Sequence, residues 1–152
     1  MASNIDEVTA YVITKLRELL IDISEYEESI VRQAMLLPYT TTTNAKTVLS
    51  DRIDDAIKCK ADLNYVILRI KDKKKVVQVP YDTEYNRMFT VLTRQNRPSK
   101  QAIDSEIKYT KPGMADTANT LEEYDKLIEY LDSLQAVIDL VIRNAENRRY
   151  NL

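Results

Sequence analysis

The sequence predicts an all-α fold built from a few long helices, and two observations support this. First, one Gly and four Pro in 152 residues are too few for the frequent tight turns of sandwiches, barrels and many-stranded sheets. Second, apolar residues recur at steps of three and four, the spacing of a buried helical face. With 44% hydrophobic residues the chain can bury a core. We therefore expect a single elongated helical domain over residues 1–152.

Two amphipathic helices are expected at the start of the chain. The first covers about residues 4–21, where six apolar side chains share one face: Ile5, Val8, Val12, Leu16, Leu19 and Leu20. Ser24 and Glu27 then match the Ser-x-x-Glu capping box, which predicts a second helix running toward Leu37. Pro38 ends that helix, because a proline drives the preceding residue out of the helical region.

A long central helix is predicted after the four threonines at 40–43, which form an extended linker with Asn44 as the cap at its end. The apolar stripe of this helix continues to about residue 72. The stretch 66–79 leaves an alternative open, because two Val- and Ile-rich runs flank a Lys/Asp tip and could form a short β-hairpin. We favour helix, since the tip lacks Gly and Asn. Pro80 should close this element, and a separate short helix should cover 82–95.

Two further helices are predicted after Pro98-Ser99, and the last is the clearest in the chain. It covers about residues 115–146, where apolar residues alternate steps of three and four over about three heptads, as in a coiled coil. A long helix with a narrow apolar seam cannot cover all its apolar surface within one chain, so we expect a homo-oligomer. The residues expected to form its contacts are Leu127, Leu131, Leu134, Ile138, Val141 and Ile142.

The composition excludes most catalytic sites. Without His the chain has no His-based triad, His-ligated zinc or His general base. A single cysteine, Cys59, excludes an intrachain disulfide, and a single glycine, Gly113, excludes a phosphate-binding Gly loop. We therefore expect a protein that is not an enzyme and uses no cofactor or metal. No apolar run is long enough to span a bilayer and the N-terminus lacks a signal-peptide pattern, so we expect a soluble protein from a reducing compartment, without membrane contact.

Charge is segregated along the chain. Residues 58–100 hold eleven basic and four acidic side chains, a net charge of +7, whereas residues 1–57 carry −5 and residues 101–152 carry −4. A run such as Lys73 to Lys75 is as often a solvated helix tip as a binding site. The stretch from Arg87 to Lys100 is more informative, because it has four cations and no acid.

Tyr85 and Phe89 lie among those cations, although each ring taken alone is more readily a core residue. Cations with aromatic rings suit single-stranded DNA, since the cations hold phosphates and the rings stack bases. The side chains expected to contact DNA are the basic ones of this window: Lys58, Lys60, Arg69, Lys71, Lys73, Lys74, Lys75, Arg87, Arg94, Arg97 and Lys100. We also expect Tyr65 to lie beside this basic surface and not in the core.

Short segments, in order along most of the chain, resemble a known family. They are Leu20-Ile21-Asp22-Ile23-Ser24, Leu36-Leu37-Pro38-Tyr39, Lys60-Ala61-Asp62-Leu63-Asn64-Tyr65 and Ser105-Glu106-Ile107-Lys108, before the Leu- and Ile-rich terminal helix that closes with Arg143. Together they resemble the phage recombination mediator family, the UvsY-like single-stranded-DNA-binding proteins. Lys60 and Ala61 match the family's Lys-Ala-Arg-type DNA-binding motif, whereas Asp62 stands where its second basic residue would be.

The resemblance implies a ring-forming, non-enzymatic protein that binds single-stranded DNA in the cytoplasm of an infected bacterial host. It implies that the protein helps to load a phage recombinase onto DNA coated with single-strand-binding protein, so both proteins would be partners. The alternative is a virion structural protein, such as a head–tail connector component, because helical oligomers of this size also serve that role. A salt-dependent single-strand binding assay separates the two.

Overall fold

The computed structural model describes residues 2–39, 46–95 and 99–150. These ranges contain five α-helices, one short 3-10 helix and no strand, so the all-α prediction is confirmed for this part of the chain. The helices are α1 (Ala2–Glu18), α2 (Glu25–Leu36), the 3-10 turn (Leu37–Tyr39), α3 (Lys46–Arg94), α4 (Lys100–Thr110) and α5 (Pro112–Tyr150). The predicted linker at 40–43 and its cap Asn44 lie outside the described residues.

α1 ends earlier than the apolar pattern predicts, because a Schellman motif stops it. The backbone N–H of Ile21 donates to the carbonyl of Leu16 at 2.9 Å, and that of Leu20 donates to the carbonyl of Arg17 at 3.0 Å. Leu20 occupies the left-handed position of the motif with φ 60°. The apolar pattern misleads here because Ile21, beyond the helix end, is also buried.

α2 begins at the predicted capping box. Ser24 is extended, and its hydroxyl accepts a hydrogen bond from the backbone N–H of Glu27 at 3.2 Å. Pro38 lies within the 3-10 turn that follows the helix. α1 and α2 are joined by an ion pair between Arg32 and Asp6 at 2.8 Å. The predicted start and stop of this helix are therefore confirmed to within one residue.

α3 is one continuous helix from Lys46 to Arg94. The favoured prediction of helix over 66–79 is confirmed, and the alternative hairpin does not form. The predicted break at Pro80 and the separate short helix over 82–95 are wrong, because the helix continues through the proline. Pro80 has no N–H to donate to the carbonyl of Val76, which normally ends or kinks a helix. Pro80 and Val76 are both exposed, so water can reach this turn and bond the carbonyl left without its helical partner. Helical bonding on both sides of the proline then carries the helix through.

α4 and α5 follow with the expected order. Ser99 caps α4, and its hydroxyl accepts from the backbone N–H of Ala102 at 3.1 Å. α5 starts at Pro112, where the missing N–H would have no helical partner in any case. The Pro112-Gly113 pair is therefore the first turn of a helix, and α5 is longer at both ends than the predicted 115–146.

The chain groups into two compact units, which we describe separately. Unit 1 comprises Met1–Ile70 and Leu127–Leu152, and unit 2 comprises Lys71–Lys126. The core of unit 2 consists of four buried side chains: Met88, Ile103, Ile107 and Met114. Four half-buried side chains pack against them: Tyr81, Tyr85, Phe89 and Leu92. Among the helices described, none is long and apolar enough to cross a membrane.

Candidate nucleic-acid interface

Two of the three candidate cations in unit 1 are engaged by acids of the same unit. The ammonium of Lys60 lies 2.6 Å from a carboxylate oxygen of Asp139, and the backbone carbonyl of Lys60 accepts from the side-chain amide of Gln135 at 3.2 Å. Arg69 pairs with Glu27 and also donates to the backbone carbonyl of Asp22 at 2.5 Å. These contacts join α3 to α5 and to the start of α2, so both cations have structural partners.

Lys58, the third, lines a groove of about 520 Å³ between α2 and α3 together with the carboxylates of Asp55 and Asp62. The acids reduce the positive potential that Lys58 could offer to a phosphate. Cys59 lies in the same groove and is buried. Burial, and secondarily the charge of Asp62, raises the pKa of the Cys59 thiol. The lysines on either side of it therefore do not make it a reactive thiolate.

In unit 2 two further candidates are paired with acids. Lys74 lies 2.5 Å from Asp125, and Arg87 lies 2.6 Å from Glu84. The hydrogen bond from Arg87, with smaller contributions from the charges of Arg87 and Lys111, lowers the pKa of Glu84. Lys74 and Arg87 are therefore weaker candidates for phosphate contacts than their unpaired neighbours.

The candidates left in unit 2 are available to a ligand. Lys71, Lys75, Arg94 and Lys100 are exposed, Lys73 is half-buried, and none of the five makes a salt bridge with any residue of 2–39, 46–95 or 99–150. Lys71 and Lys75 are four residues apart, so they share one face of α3, whereas Lys73 lies on another side. Arg97 is outside the described residues.

The aromatic residues near these cations are half-buried and pack against the core of unit 2. The rings of Tyr81 and Tyr85 stack at 6.1 Å between centroids, and those of Tyr85 and Phe89 at 6.0 Å. The hydroxyl of Tyr85 donates to the carboxylate of Asp104 on α4. Burial, together with this hydrogen bond to a carboxylate, raises the pKa of Tyr85 to about 12. Tyr85 and Phe89 therefore pack in the protein, as expected for each ring taken alone, and Tyr81, which no sequence pattern marked, extends the stack.

The residues expected to form oligomer contacts are largely covered within the single chain. Leu127, Leu131 and Ile138 are buried. The other three, Leu134, Val141 and Ile142, are half-buried, and Ile142 packs against a buried cluster of unit 1. The apolar side chains of α5 that remain exposed include Val137 and Leu140. Tyr65 is 60% exposed, which confirms that it lies outside the core.

Across the described ranges, no three acidic or cysteine side chains are grouped as metal ligands. In comparisons with known proteins, no family model, no curated protein and no solved structure matches the chain. The segments that resemble the phage mediator family therefore have no support from these comparisons.

Proposed function

We propose that the protein is a non-enzymatic single-stranded-DNA-binding protein and that unit 2 carries the DNA-binding surface. The observation behind this is the pair Lys71 and Lys75, exposed on one face of α3 without an acidic partner among the described residues. Phosphate oxygens of DNA would serve as anionic partners for these two ammonium groups. The charge balance agrees, because residues 71–126 carry eleven basic and nine acidic side chains, a net charge of +2, against −4 for the rest of the chain.

A surface of a few lysines binds DNA weakly, so the proposal includes a homo-oligomer. Each protomer would contribute a small number of phosphate contacts, and several protomers on one strand would multiply them through effective concentration. The exposed apolar residues Val137 and Leu140 on α5 offer a contact surface that folding of the single chain leaves uncovered.

The more specific role that we propose is recombination mediation, which means loading a phage recombinase onto DNA coated with single-strand-binding protein. This part depends on the resemblance of the segments that include Lys60 to Tyr65. Since Lys60 already has Asp139 as its partner, we assign the DNA contacts to unit 2 and not to the Lys60-Ala61 motif.

The first test is binding of a fluorescently labelled thymidine oligonucleotide at low salt, followed by anisotropy, with a duplex of the same length as control. We expect tighter binding of the single strand, because only an unpaired strand exposes base faces as well as phosphates. Absence of binding to the single strand at low salt would refute the proposal and favour the virion structural alternative. If the strand is bound, release of single-strand-binding protein from coated DNA during recombinase loading tests the mediator role.

A further inference from the structure

A cavity of about 300 Å³ opens in unit 2 between α3, α4 and the start of α5. Tyr81 and Tyr85 line it from α3, and Lys100, Asp104 and Lys108 line it from α4. Its apolar lining comes from Ile107, Met114 and Ala118. A cavity with an aromatic wall, an apolar floor and a few polar groups is the usual form of a small-ligand site.

The three charged residues of the cavity follow one another along α4. Lys100, Asp104 and Lys108 are spaced by four residues, so they lie on one face of the helix with the carboxylate between two ammonium groups. Lys100 and Lys108 are exposed and make no salt bridge with any residue that the structure describes. Both cations are therefore available to an anion at the rim of the cavity.

Asp104 can accept more hydrogen bonds than it receives from the protein. It accepts one from the hydroxyl of Tyr85, and a carboxylate has about four lone-pair sites. The ring of Tyr81 is half-buried and stacks at 6.1 Å on that of Tyr85, so the Tyr85 contact also fixes the aromatic wall. The cavity thus presents an aromatic ring, a hydrogen-bond acceptor and two cations.

We infer that this cavity takes one unstacked nucleobase of a bound single strand, an inference that rests on the proposed DNA binding. The base would lie against Tyr81, its amino group would donate to Asp104, and flanking phosphates would contact Lys100 and Lys108. Aromatic stacking with hydrogen bonds to the base edge is how single strands are read. Asp104 favours cytosine and adenine over thymine, because their exocyclic amino groups donate to a carboxylate. Thymine has no exocyclic amino group, and its one donor on that edge, N3–H, lies between two carbonyl oxygens that the carboxylate repels.

The test compares the affinities of oligodeoxycytidine and oligodeoxythymidine of equal length for the full chain at pH 7.5. We expect the wild type to prefer the cytidine strand by about tenfold, the size of one base-edge contact. Asp104→Asn should abolish that preference while its amide oxygen still accepts from Tyr85. Tyr81→Leu keeps apolar packing but removes the ring, and should weaken binding of both strands by about tenfold. Tyr109→Ala is the control, because Tyr109 lies on α4 with Asp104, is 85% exposed and does not line the cavity.

Photo-crosslinking with 5-iododeoxycytidine, mapped by mass spectrometry, locates the base independently of the effects of the variants on folding. A crosslink to Tyr81 or Tyr85 is the expected result. If the wild type binds both strands equally, or crosslinks only outside these residues, the base site is refuted while the proposed DNA binding stands. If the wild type binds neither strand at low salt, the proposed function itself fails.

Discussion

Leu20 adopts a backbone conformation in which glycine is the usual residue. Its φ of 60° lies in the left-handed region, where the Cβ of any other residue meets steric resistance, and its side chain is 77% exposed. Leu20→Gly should therefore raise the free energy of unfolding by about 1 kcal/mol, since the strain is relieved and little buried apolar surface is lost. Urea denaturation followed by circular dichroism measures it.

The control for that variant is Leu20→Ala, which shortens the side chain but keeps a Cβ. We expect its stability to stay within about 0.5 kcal/mol of the wild type. If Leu20→Gly is no more stable than Leu20→Ala, the left-handed conformation at the end of α1 is wrong.

Ionisation of Tyr85 should make the stability of the protein fall with pH in the alkaline range. Its pKa rises from 10.0 to about 12 in the folded protein. The folded state therefore holds the hydroxyl proton more tightly than the unfolded chain does. The stabilisation from this group is complete below pH 10 and is lost as the pH rises toward 12. In Tyr85→Phe the fall in stability between pH 9 and pH 11 should be shallower than in the wild type.

Part of the fall in stability between pH 9 and pH 11 should persist in Tyr85→Phe, because burial also raises the pKa of Tyr81, Tyr124 and Cys59. At pH 8 the variant should be less stable by about 1 kcal/mol, the usual net contribution of one hydrogen bond. Identical pH profiles in the two proteins, measured by urea midpoints, would show that neither burial nor the contact with Asp104 raises the pKa of Tyr85 in the folded protein.

Pro80 interrupts the hydrogen bonding of α3 without ending the helix. A proline inside a helix is about 3 kcal/mol less favourable than alanine, and Pro80 is exposed, so few contacts oppose its replacement. Pro80→Ala should raise the stability of the protein by up to that amount. Val79→Ala, at an exposed neighbouring position, should change stability by less than about 0.5 kcal/mol. A less stable Pro80→Ala protein would mean that the chain breaks there after all.

The helices show what local signals in the sequence can and cannot predict. Ser24 and Ser99 mark helix starts because a capping hydroxyl and its N–H partner lie three residues apart. The stop at Leu20 escaped prediction because the apolar pattern continues through it. Pro80 predicted a break because proline normally ends a helix. That expectation does not include the backbone hydrogen bonds that continue α3 before and after the proline.

The apolar residues of α5 divide into an inner and an outer set, which periodicity alone could not separate. Leu131 is fully buried, whereas Leu140 is 52% exposed. Leu131→Asp should lower the free energy of unfolding by more than about 4 kcal/mol, because it places a charge in the core. Leu140→Asp should leave folding intact and, if the outer face of α5 forms the proposed oligomer, reduce the mass measured by light scattering. An unchanged mass for a folded Leu140→Asp protein would exclude this face as the contact.

The basic centre of the sequence and its two acidic flanking segments form ion pairs with each other in the folded protein. A count of charges along the sequence does not show these pairs. Acidic residues from both flanking segments pair with cations of the basic centre: Glu27 with Arg69, Asp139 with Lys60, and Asp125 with Lys74. These partners are 42 to 79 residues apart in sequence, so only the folded chain brings them together. The candidate DNA surface is consequently smaller than the +7 window predicted.

The proposed contacts of Lys71 and Lys75 with DNA phosphates determine how strongly single-strand affinity depends on salt. Each phosphate contact contributes about −0.7 to the slope of log affinity against log salt concentration on single strands. The double variant Lys71→Ala, Lys75→Ala should therefore have a slope shallower by about 1.4. Arg143→Ala with Arg148→Ala removes the same charge from exposed positions in unit 1 and should leave the slope unchanged. Equal slopes for the wild type and the lysine variant would show that Lys71 and Lys75 do not contact DNA phosphates.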